Sequence, residues 1–286
     1  MKPGTPVPVT LLAPDALLAA PKGFNIVDAR RRHQFEASHI LGAISIEWED
    51  WCDPAPVAPD SALGRKGYWG VLRSAPDDWY AGQLGACGLS SADPIVVYAD
   101  GPGSRGREGR IAWMLLYLGA RHVSLLDGGW RGWLAAGGST ECESTPPTRG
   151  SFAVNRQTSR RCTLPELADG LKNGSFPQLV DTRSPEEFSG YEQPYLPRRG
   201  HLPGAVNFPF SGLFGAFERF VDLATYSQRL NEALSAPERM VAYCEVGVRA
   251  SLFALIHEMH TGHQVPVYDG SLIEWSLHPE LPMEPK

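Results

Sequence analysis

A cysteine at the end of an apolar run is the residue of this chain best placed to do chemistry. The run 240–243 leads into Cys244, a short loop with Gly247 and Arg249 follows, and residues 252–259 form a segment typical of a helix. In such a strand, loop and helix, several backbone N–H groups and the positive end of the helix dipole point at one place. A thiol there ionises more readily than a free cysteine, whose pKa is about 8.5, and the thiolate is the nucleophile. The pattern predicts a nucleophilic Cys244; the alternative is a buried structural cysteine.

The elements that would position this loop occur twice along the chain. Most of the repeated segments are typical of short apolar strands followed by turn residues and a helix. Each segment of the first half corresponds to one of the second half: 25–30 to 178–183, 39–43 to 201–205, 94–98 to 239–243, and 123–133 to 265–275. This succession predicts a duplicated α/β unit, in each copy a parallel sheet with helices on both faces.

A stretch rich in Ser, Thr, Pro and Gly lies between the two copies, at residues 138–150. This composition is typical of a linker. We therefore predict an N-terminal domain over residues 8–138, a linker over 139–158 and a C-terminal domain over 159–286.

The duplication provides an internal control for the cysteine. When Tyr98 is aligned with Tyr243, Ala99 stands opposite Cys244. The first copy therefore has no thiol at the reactive position, and its loop is also longer. This difference predicts one active domain, the C-terminal one, and one supporting, inactive domain.

Composition narrows the class of protein. The chain has 286 residues, 43% of them hydrophobic and 20% charged, which is ordinary for a globular protein of about two domains. A net charge of −6 argues against nucleic acid as the main partner. No apolar run is long enough for a membrane span, and the N-terminus lacks the apolar core of a signal peptide. The five cysteines are scattered, so we expect neither disulfides nor zinc but a reducing, cytoplasmic location.

Two further patterns suggest ligands. Residues 101–106 read GxGxxG, a dinucleotide-binding pattern, but they lie late in the repeat, and Pro102 removes a backbone donor. His257, His260 and His263 are spaced for a helix face, yet no Asp or Cys ligand lies beside them, and we interpret them as a solvated helix end. We therefore expect no cofactor and no metal.

Taken together, the motifs resemble a known family. The tandem units, His-x-Pro-Gly-Ala at 201–205, Cys-x-x-Gly-x-Arg at 244–249 and Asp-Gly-Ser-x-x-Glu-Trp at 269–275 are similar to a two-domain rhodanese-type sulfurtransferase, over residues 11–277. The resemblance implies two domains, each a five-stranded parallel sheet flanked by helices. It also implies a catalytic cysteine in the C-terminal domain only.

The resemblance implies sulfur transfer through a persulfide on Cys244, from a donor such as thiosulfate to an acceptor such as cyanide or a thiol. A thioredoxin-like reductant is a further candidate partner. The loop N–H groups from Glu245 through Val246, Gly247 and Val248 would hold the anionic outer sulfur, and Gly247 would allow the tight turn. Arg249, which stays charged, would hold the anionic donor or its leaving group. Asp181, Arg183 and Asp269 have counterparts in the first copy, so we expect them to support the loop.

The chain departs from the family where the donor is decided. Thiosulfate enzymes carry basic residues where Glu245 and Val246 stand, and mercaptopyruvate enzymes usually have a serine in place of Val246. Both classes often place an arginine where this chain has Glu187, and we expect Arg198 and Arg199 to replace it in binding substrate. Thiosulfate is favoured, because Arg249 supplies a cation and the serine is missing; 3-mercaptopyruvate is the alternative.

Two hypotheses from other classes stay open. The protein could be a phosphatase or arsenate reductase, but the loops of those enzymes hold one residue more than the four between Cys244 and Arg249. It could also be a non-catalytic sulfur carrier or binding module, since a carboxylate at Glu245 would raise the pKa of the neighbouring thiol.

Overall fold

The computed structural model describes residues 7–58, 60–143, 146–174, 178–191, 195–234 and 239–284. The chain forms two compact units. The first contains the described residues up to Trp48, together with Ser74–Thr158 and Phe214–Phe220; the second contains Glu49–Arg73, Ser159–Leu213 and the described residues from Val221 onward.

The first unit is built around a parallel sheet of five strands. Its strands are β1 (Val9–Leu12), β2 (Asn25–Asp28), β4 (Ile44–Ser45), β5 (Ile95–Tyr98) and β6 (Val123–Leu126), and an antiparallel pair is formed by β3 (His39–Ile40) and β7 (Thr140–Glu141). The order in the sheet is β1-β6-β5-β2-β4. The helices are α1 (Pro14–Ala19), α2 (Arg32–Ala37), α3 (Asp77–Ala86), α4 (Arg107–Tyr117) and α5 (Gly129–Ala135).

The second unit repeats this plan. Its strands are β8 (Arg161–Cys162), β9 (Gln178–Asp181), β10 (Val206–Asn207), β11 (Met240–Tyr243) and β12 (Val267–Tyr268), and its helices are α6 (Leu164–Lys172), α7 (Pro185–Phe188), α8 (Leu223–Ala233), α9 (Val248–Thr261) and α10 (Ser271–Ser276). The order β10-β9-β11-β12-β8 is again parallel. The predicted fold class is therefore confirmed: two α/β domains, each with a five-stranded parallel sheet.

The central strand β11 shows why these residues form such a sheet. All four of its residues are buried, as expected for a parallel strand covered by helices on both faces. Its last residue, Tyr243, lies opposite Asp181 of β9. The next residue along the chain, Cys244, therefore emerges at the carboxyl edge of the sheet, where folds of this kind place their sites.

The long helix α9 follows the loop and is buried over Val248–Glu258. It ends at Thr261, because Gly262 adopts the left-handed conformation with φ 75°. The interpretation of its histidines as a solvated helix end fits His263, which is exposed, but is wrong for His257. The His257 side chain is buried and its Nδ1 lies 2.8 Å from the Tyr226 hydroxyl.

Each unit includes a segment from the other half of the chain. Residues 49–73 pack in the second unit and residues 214–220 in the first. The two segments are held alike: the Leu72 N–H donates to Asp269 at 2.7 Å, and the Phe220 N–H donates to Asp127 at 3.0 Å. Asp269 and Asp127 are equivalent residues of the two copies, so the exchange follows the duplication.

The segment expected to be a linker, 139–158, packs on the first unit. Part of it forms β7, which pairs with β3. Further along, the Asn155 N–H donates to the Leu118 carbonyl at 2.9 Å. The chain passes to the second unit between Thr158 and Ser159.

Candidate active site

Cys244 lies between the end of β11 and the start of α10. Its backbone N–H donates to the Ser271 hydroxyl at 3.1 Å, and its carbonyl accepts from the Leu272 N–H at 3.2 Å. The residue has no solvent-exposed surface. The backbone of the candidate nucleophile is thus fixed from both sides by the first turn of a neighbouring helix.

Ser271 is a site residue that the sequence reasoning missed. It adopts a left-handed conformation, φ 54°, which is uncommon for a residue other than glycine and stores strain. Its hydroxyl donates to the Tyr268 carbonyl at 2.7 Å while accepting from Cys244. A signal was available, because the equivalent residue of the first copy is Gly129, with φ 53°. The copy with the thiol therefore has a hydroxyl that the other lacks.

The loop after the cysteine presents backbone donors. Gly247 precedes α9 with φ 77°, and a Cβ at this position would lie 2.5 Å from the Asp269 carbonyl oxygen, so both conformation and space require glycine. The N–H groups of residues 246–250 have no hydrogen-bond acceptor among the residues that the structure describes. Because the first N–H groups of a helix have no partner within it, this end of α9 suits an anion.

Arg249 is paired with a carboxylate instead of being open to solvent. Its Nη1 donates to Oε2 of Glu187 at 2.5 Å and its Nη2 to Oε1 at 2.9 Å, and Nη2 also lies 3.4 Å from Glu245. Burial alone lowers the pKa of Arg249, but the hydrogen bond to Glu187 and the negative charges of Cys244, Glu187 and Glu245 outweigh it and raise that pKa. The guanidinium is therefore permanently charged and already shared by three acidic groups.

Glu187 reaches this position through the start of α7. Its Oε2 accepts from the Ser184 N–H at 2.8 Å, and the Ser184 hydroxyl accepts from the Glu187 N–H at 3.1 Å, which is a capping box. The pattern Ser-x-x-Glu is visible in the sequence and predicts the cap. It does not predict that the same carboxylate crosses to Arg249.

One aromatic side chain, Tyr195, lies beside Glu245 and packs on a second ring. The Tyr195 hydroxyl donates to Oε1 of Glu245. The Tyr68 and Tyr195 rings meet edge to face, with centroids 5.4 Å apart. In the same segment as Tyr68, the Gly70 backbone is so close to the Val246 carbonyl that a Cβ would overlap it. Residues from the first half of the chain thus contact the loop after Cys244.

The two arginines expected to bind substrate differ in their surroundings. Arg198 donates to four backbone carbonyls, those of Trp275 and Ser276 at the C-terminal end of α10 and those of His278 and Leu281 beyond it. Arg199 is exposed and has no hydrogen bond or ion pair with any residue that the structure describes. A substrate-binding role stays a prediction for both.

The expected supporting residues form buried pairs. Arg183 donates from Nε and Nη2 to Asp181 at 2.7–3.0 Å, and also to the carbonyls of Glu187 and Gly200. Asp28 and Arg30 pair in the same way in the first unit. Asp269 accepts from Leu72 and pairs with Arg161 at 3.0 Å. Val246, in the loop after Cys244, and Val248, the first residue of α9, are both buried.

The described residues contain no cluster of three or more His, Cys, Asp or Glu side chains that could hold a metal ion. In that same part of the chain, none of the helices combines the length and the apolar character needed to cross a bilayer.

With this geometry in place, comparison with known proteins identifies the family. The model of the rhodanese-like domain matches residues 13–136 and again 163–278. The chain belongs to the rhodanese-like family and contains two such domains. The residues at 101–106 that resemble a dinucleotide loop lie inside the first of them.

The relatives define the class of enzyme. A probable 3-mercaptopyruvate sulfurtransferase from Pseudomonas aeruginosa is 34% identical, over 87% of this chain and 85% of the relative. The thiosulfate sulfurtransferase of Gallus gallus is 29% identical, over 85% and 80%. The crystal structure of SseA from Escherichia coli, a 3-mercaptopyruvate sulfotransferase, superposes with a TM-score of 0.77 at 20% identity, over 92% and 98%, and shows the common fold. The protein is thus an enzyme of the sulfurtransferase class.

Proposed function

We propose that the protein transfers a sulfane sulfur through a persulfide on Cys244. The observation that carries this proposal is the position of the Cys244 thiol at the carboxyl end of β11, directly before helix N–H groups that have no acceptor in the described part of the chain. The first unit has Ala99 at the equivalent position, so the C-terminal unit is the catalytic one.

In the first step the Cys244 thiolate attacks the sulfane sulfur of thiosulfate. A bond forms between Sγ and that sulfur, the sulfur–sulfur bond of thiosulfate breaks, and its electron pair leaves with sulfite. The N–H groups of residues 246–250 are the donors available to the anionic outer sulfur. The reaction needs no organic cofactor and no metal.

In the second step a nucleophile removes the outer sulfur. Cyanide or a thiolate forms a bond to it, the bond to Sγ breaks, and the electron pair returns to Cys244 as the thiolate. We propose a thioredoxin-like reductant as one such thiol. We also propose that the protein acts in the cytoplasm. No oxidant enters the cycle, because the sulfur is transferred without a net electron change on the enzyme.

Thiosulfate is the donor that we propose, with 3-mercaptopyruvate as the alternative. By sequence, Arg249 is the cation that favours thiosulfate as the donor. In the structure Glu187 already neutralises that cation, so the loop N–H groups must supply the attraction for the anion. Relatives of both names are similar to this chain, and a direct comparison of the two donors decides between them.

Access to the thiol requires movement. Cys244 has no exposed surface. The half-buried Tyr195 donates to Glu245 in the loop after it, and the half-buried Tyr68 packs edge to face on Tyr195. We propose that this aromatic pair moves when the donor enters.

Mass spectrometry tests the proposal. The protein is incubated with thiosulfate or with 3-mercaptopyruvate, and the Cys244 peptide is examined for one added sulfur, about 32 Da. We expect the adduct in the wild type, and we expect Cys244→Ser to lose both the adduct and sulfur transfer to cyanide. Cys162→Ser is the matched control, because Cys162 is a buried thiol of the same unit. Full transfer by Cys244→Ser would refute the proposal.

The sulfur-carrier hypothesis has its own support in Glu245, which lies next to the thiol. A titration of the thiolate absorbance separates the two functions. A Cys244 pKa clearly above about 8.5 would favour the carrier. Phosphatase activity is disfavoured by the short loop, and turnover of a phosphate ester that depends on Cys244 would revive it.

A further inference from the structure

The loop at residues 101–106, in the unit without a reactive thiol, corresponds to the nucleophile loop of the second unit. Gly106 precedes α4 with φ 89°, as Gly247 precedes α9 with φ 77°. Two residues further along, Glu108 therefore stands where the catalytic unit has Arg249. The position that carries a cation in one copy carries an acid in the other.

Glu108 is buried without a hydrogen bond to any cation. Its side chain is 3% exposed and its Oε2 lies 2.6 Å from the Ser104 hydroxyl. Its Oε1 is buried and has no hydrogen-bond partner among the residues that the structure describes. Glu258, a buried glutamate of α9, instead accepts from both prongs of Arg160, at 2.6 and 2.9 Å. Because a buried carboxylate without such a partner is costly, burial favours the neutral acid at Glu108.

The hydrogen bonds of Ser104 indicate where a proton must lie. Its Oγ is 2.7 Å from the Gly101 carbonyl oxygen and 2.6 Å from Oε2 of Glu108. Both distances are those of full hydrogen bonds between oxygens, but a serine hydroxyl has one hydrogen. The carbonyl can only accept, so it takes the hydrogen of Ser104. The second bond then needs a hydrogen on Glu108, which donates to Ser104.

We propose that Glu108, Ser104 and the Gly101 carbonyl form a pH-sensitive latch on the loop 101–106. While Glu108 is a neutral acid, it donates to Ser104 and Ser104 donates to Gly101, so the first turn of α4 is tied to the start of the loop. When Glu108 loses its proton, two acceptors compete for the single hydrogen of Ser104, and a negative charge is left inside the unit. The latch then opens.

The groups that face Glu108 place this opening near neutral pH. Burial raises the pKa of Glu108 to about 7, while the hydrogen bond with Ser104 and the residue's own backbone N–H lower that pKa by less. Of the charged neighbours, Asp100 raises this pKa and Arg107 lowers it. In the unfolded chain the pKa of a glutamate is about 4.3. The contribution of Glu108 to stability is therefore complete below that pH and is lost as the pH rises through about 7.

The loop contacts the segment 214–220, which belongs to the same unit. A Cβ at Gly101 would lie 3.5 Å from the Cβ of Glu218. Glu218 in turn pairs with Arg131 of α5 at 2.8 Å. The residue whose carbonyl Ser104 holds is thus the one that packs on this segment, and opening of the latch loosens both.

Infrared difference spectroscopy tests whether Glu108 carries the proton. We expect the wild type at pH 6 to show the C=O stretch of a protonated carboxylic acid that Glu108→Gln lacks, and to lose it with a midpoint near pH 7. Glu36→Gln changes an exposed glutamate of the same unit and should keep the band. If Glu108→Gln does not fold, Ser104→Ala provides the assignment, because the acid loses its hydroxyl partner and the band shifts. A wild type without the band at pH 6 would overturn the latch.

Hydrogen exchange followed by mass spectrometry tests the opening. Exchange rates at pH 6 and pH 8 are divided by the intrinsic rates at each pH, so that opening equilibria are compared. We expect the opening constant of residues 101–106 to rise about tenfold from pH 6 to pH 8 in the wild type, because the open loop releases the proton more readily. Segment 214–220 should show the same dependence. In Glu108→Gln, whose amide can still donate to Ser104, the rise should be less than twofold, and Glu36→Gln should behave like the wild type.

A wild-type loop that opens equally at both pH values would overturn the latch, and so would an equal rise in Glu108→Gln. The latch lies in the unit without the reactive thiol, and neither measurement requires sulfur on Cys244. Its failure is therefore distinguishable from a failure of the proposed sulfur transfer.

Discussion

Glu187 occupies the two-pronged hydrogen-bonding side of Arg249 that an anionic donor would otherwise use. A buried pair of this kind is held by Coulomb attraction and by its hydrogen bonds. A substrate that binds the guanidinium must first break both interactions. The residue that fills the site is thus the one that departs from the family pattern. We therefore expect Glu187 to affect the binding of the donor and not the bond-breaking step.

Replacing Glu187 by glutamine should improve the use of thiosulfate. The amide can donate to Glu245, as Gln34 donates to Asp100 in the first unit, and this frees Arg249 for the donor. We expect the KM for thiosulfate to fall roughly tenfold with a smaller change in kcat, because the gain is in ground-state binding. Gln34→Glu makes the reverse change in the unit without a thiol and should leave the steady-state kinetics unchanged. An unaltered KM in Glu187→Gln would contradict this role.

The hydroxyl of Ser271 should be worth a measurable part of the stability. Ser271→Ala keeps the cost of the left-handed backbone and removes both hydrogen bonds of the hydroxyl, the one that it accepts from the buried Cys244 N–H and the one that it donates to the Tyr268 carbonyl. Leaving the Cys244 N–H without an acceptor should lower the free energy of unfolding by about 1–3 kcal/mol. Urea unfolding measures it. A loss well below 1 kcal/mol would mean that the N–H finds another partner.

The residues of the site differ in how far the sequence predicts them. Cys244, Gly247 and Arg249 lie within six consecutive positions, and their spacing carries the information by itself. Glu187 and Tyr195 lie 62 and 50 positions from their partners Arg249 and Glu245. No short-range sequence pattern relates residues so far apart, so only the folded structure shows which of these side chains are in contact.

At the scale of elements, the sheets were predictable because their strands are buried on both faces and therefore leave continuous apolar runs. Strand β11 is the plainest case, with all four residues buried. The burial of α9 was harder to predict. Its histidines are polar residues near the end of an apolar helix. The sequence pattern does not show that His257 has a hydrogen-bonding partner inside the protein, the Tyr226 hydroxyl.

This buried histidine makes stability depend on pH. Burial, followed by the charges of His263 and His260, lowers the pKa of His257 to about 4. In the unfolded chain the pKa is about 6.5, so between these values the unfolded state binds the extra proton and stability falls as the pH falls. Above about pH 6.5 the contribution is complete, and on the order of 3 kcal/mol is lost by about pH 4.

Urea unfolding at pH 7 and pH 4.5 checks this expectation. His257→Gln should show a smaller loss between the two pH values than the wild type, because the titrating group is gone. His122→Gln, at an exposed position of the first unit, should behave like the wild type. Equal losses in all three proteins would assign the acid sensitivity to other groups.

At the scale of the whole molecule, the duplication was visible in the sequence, but the exchange of segments was not. Residues 49–73 precede the linker and carry no repeat signal that relates them to the second unit. The contacts that place them join residues far apart in the sequence, such as the Leu72 N–H and Asp269. The periodicity of hydrophobic residues indicates which face of a helix or strand is buried. It does not indicate on which of the two units a loop packs.

Because the segments are exchanged, we expect substitutions of the two equivalent aspartates to affect access to Cys244 differently. Asp269→Ala removes the acceptor of the buried Leu72 N–H, and Asp127→Ala removes that of the Phe220 N–H. Both should destabilise their unit by about 1–3 kcal/mol. Only Asp269 holds the segment that contains Gly70, which packs against the Val246 carbonyl in the loop after the thiol. Loosening that segment should therefore expose Cys244, whereas loosening the other should not.

Alkylation followed by peptide mass mapping separates the two cases, with the exposed Cys142 as internal reference. We expect Cys244 in Asp269→Ala to react about tenfold faster than in the wild type, since local opening costs less when a buried hydrogen bond is missing. In Asp127→Ala the rate should match the wild type at equal overall destabilisation. Equal acceleration in both variants would show that Cys244 is reached by global unfolding, and the exchanged segment would then have no part in guarding the nucleophile.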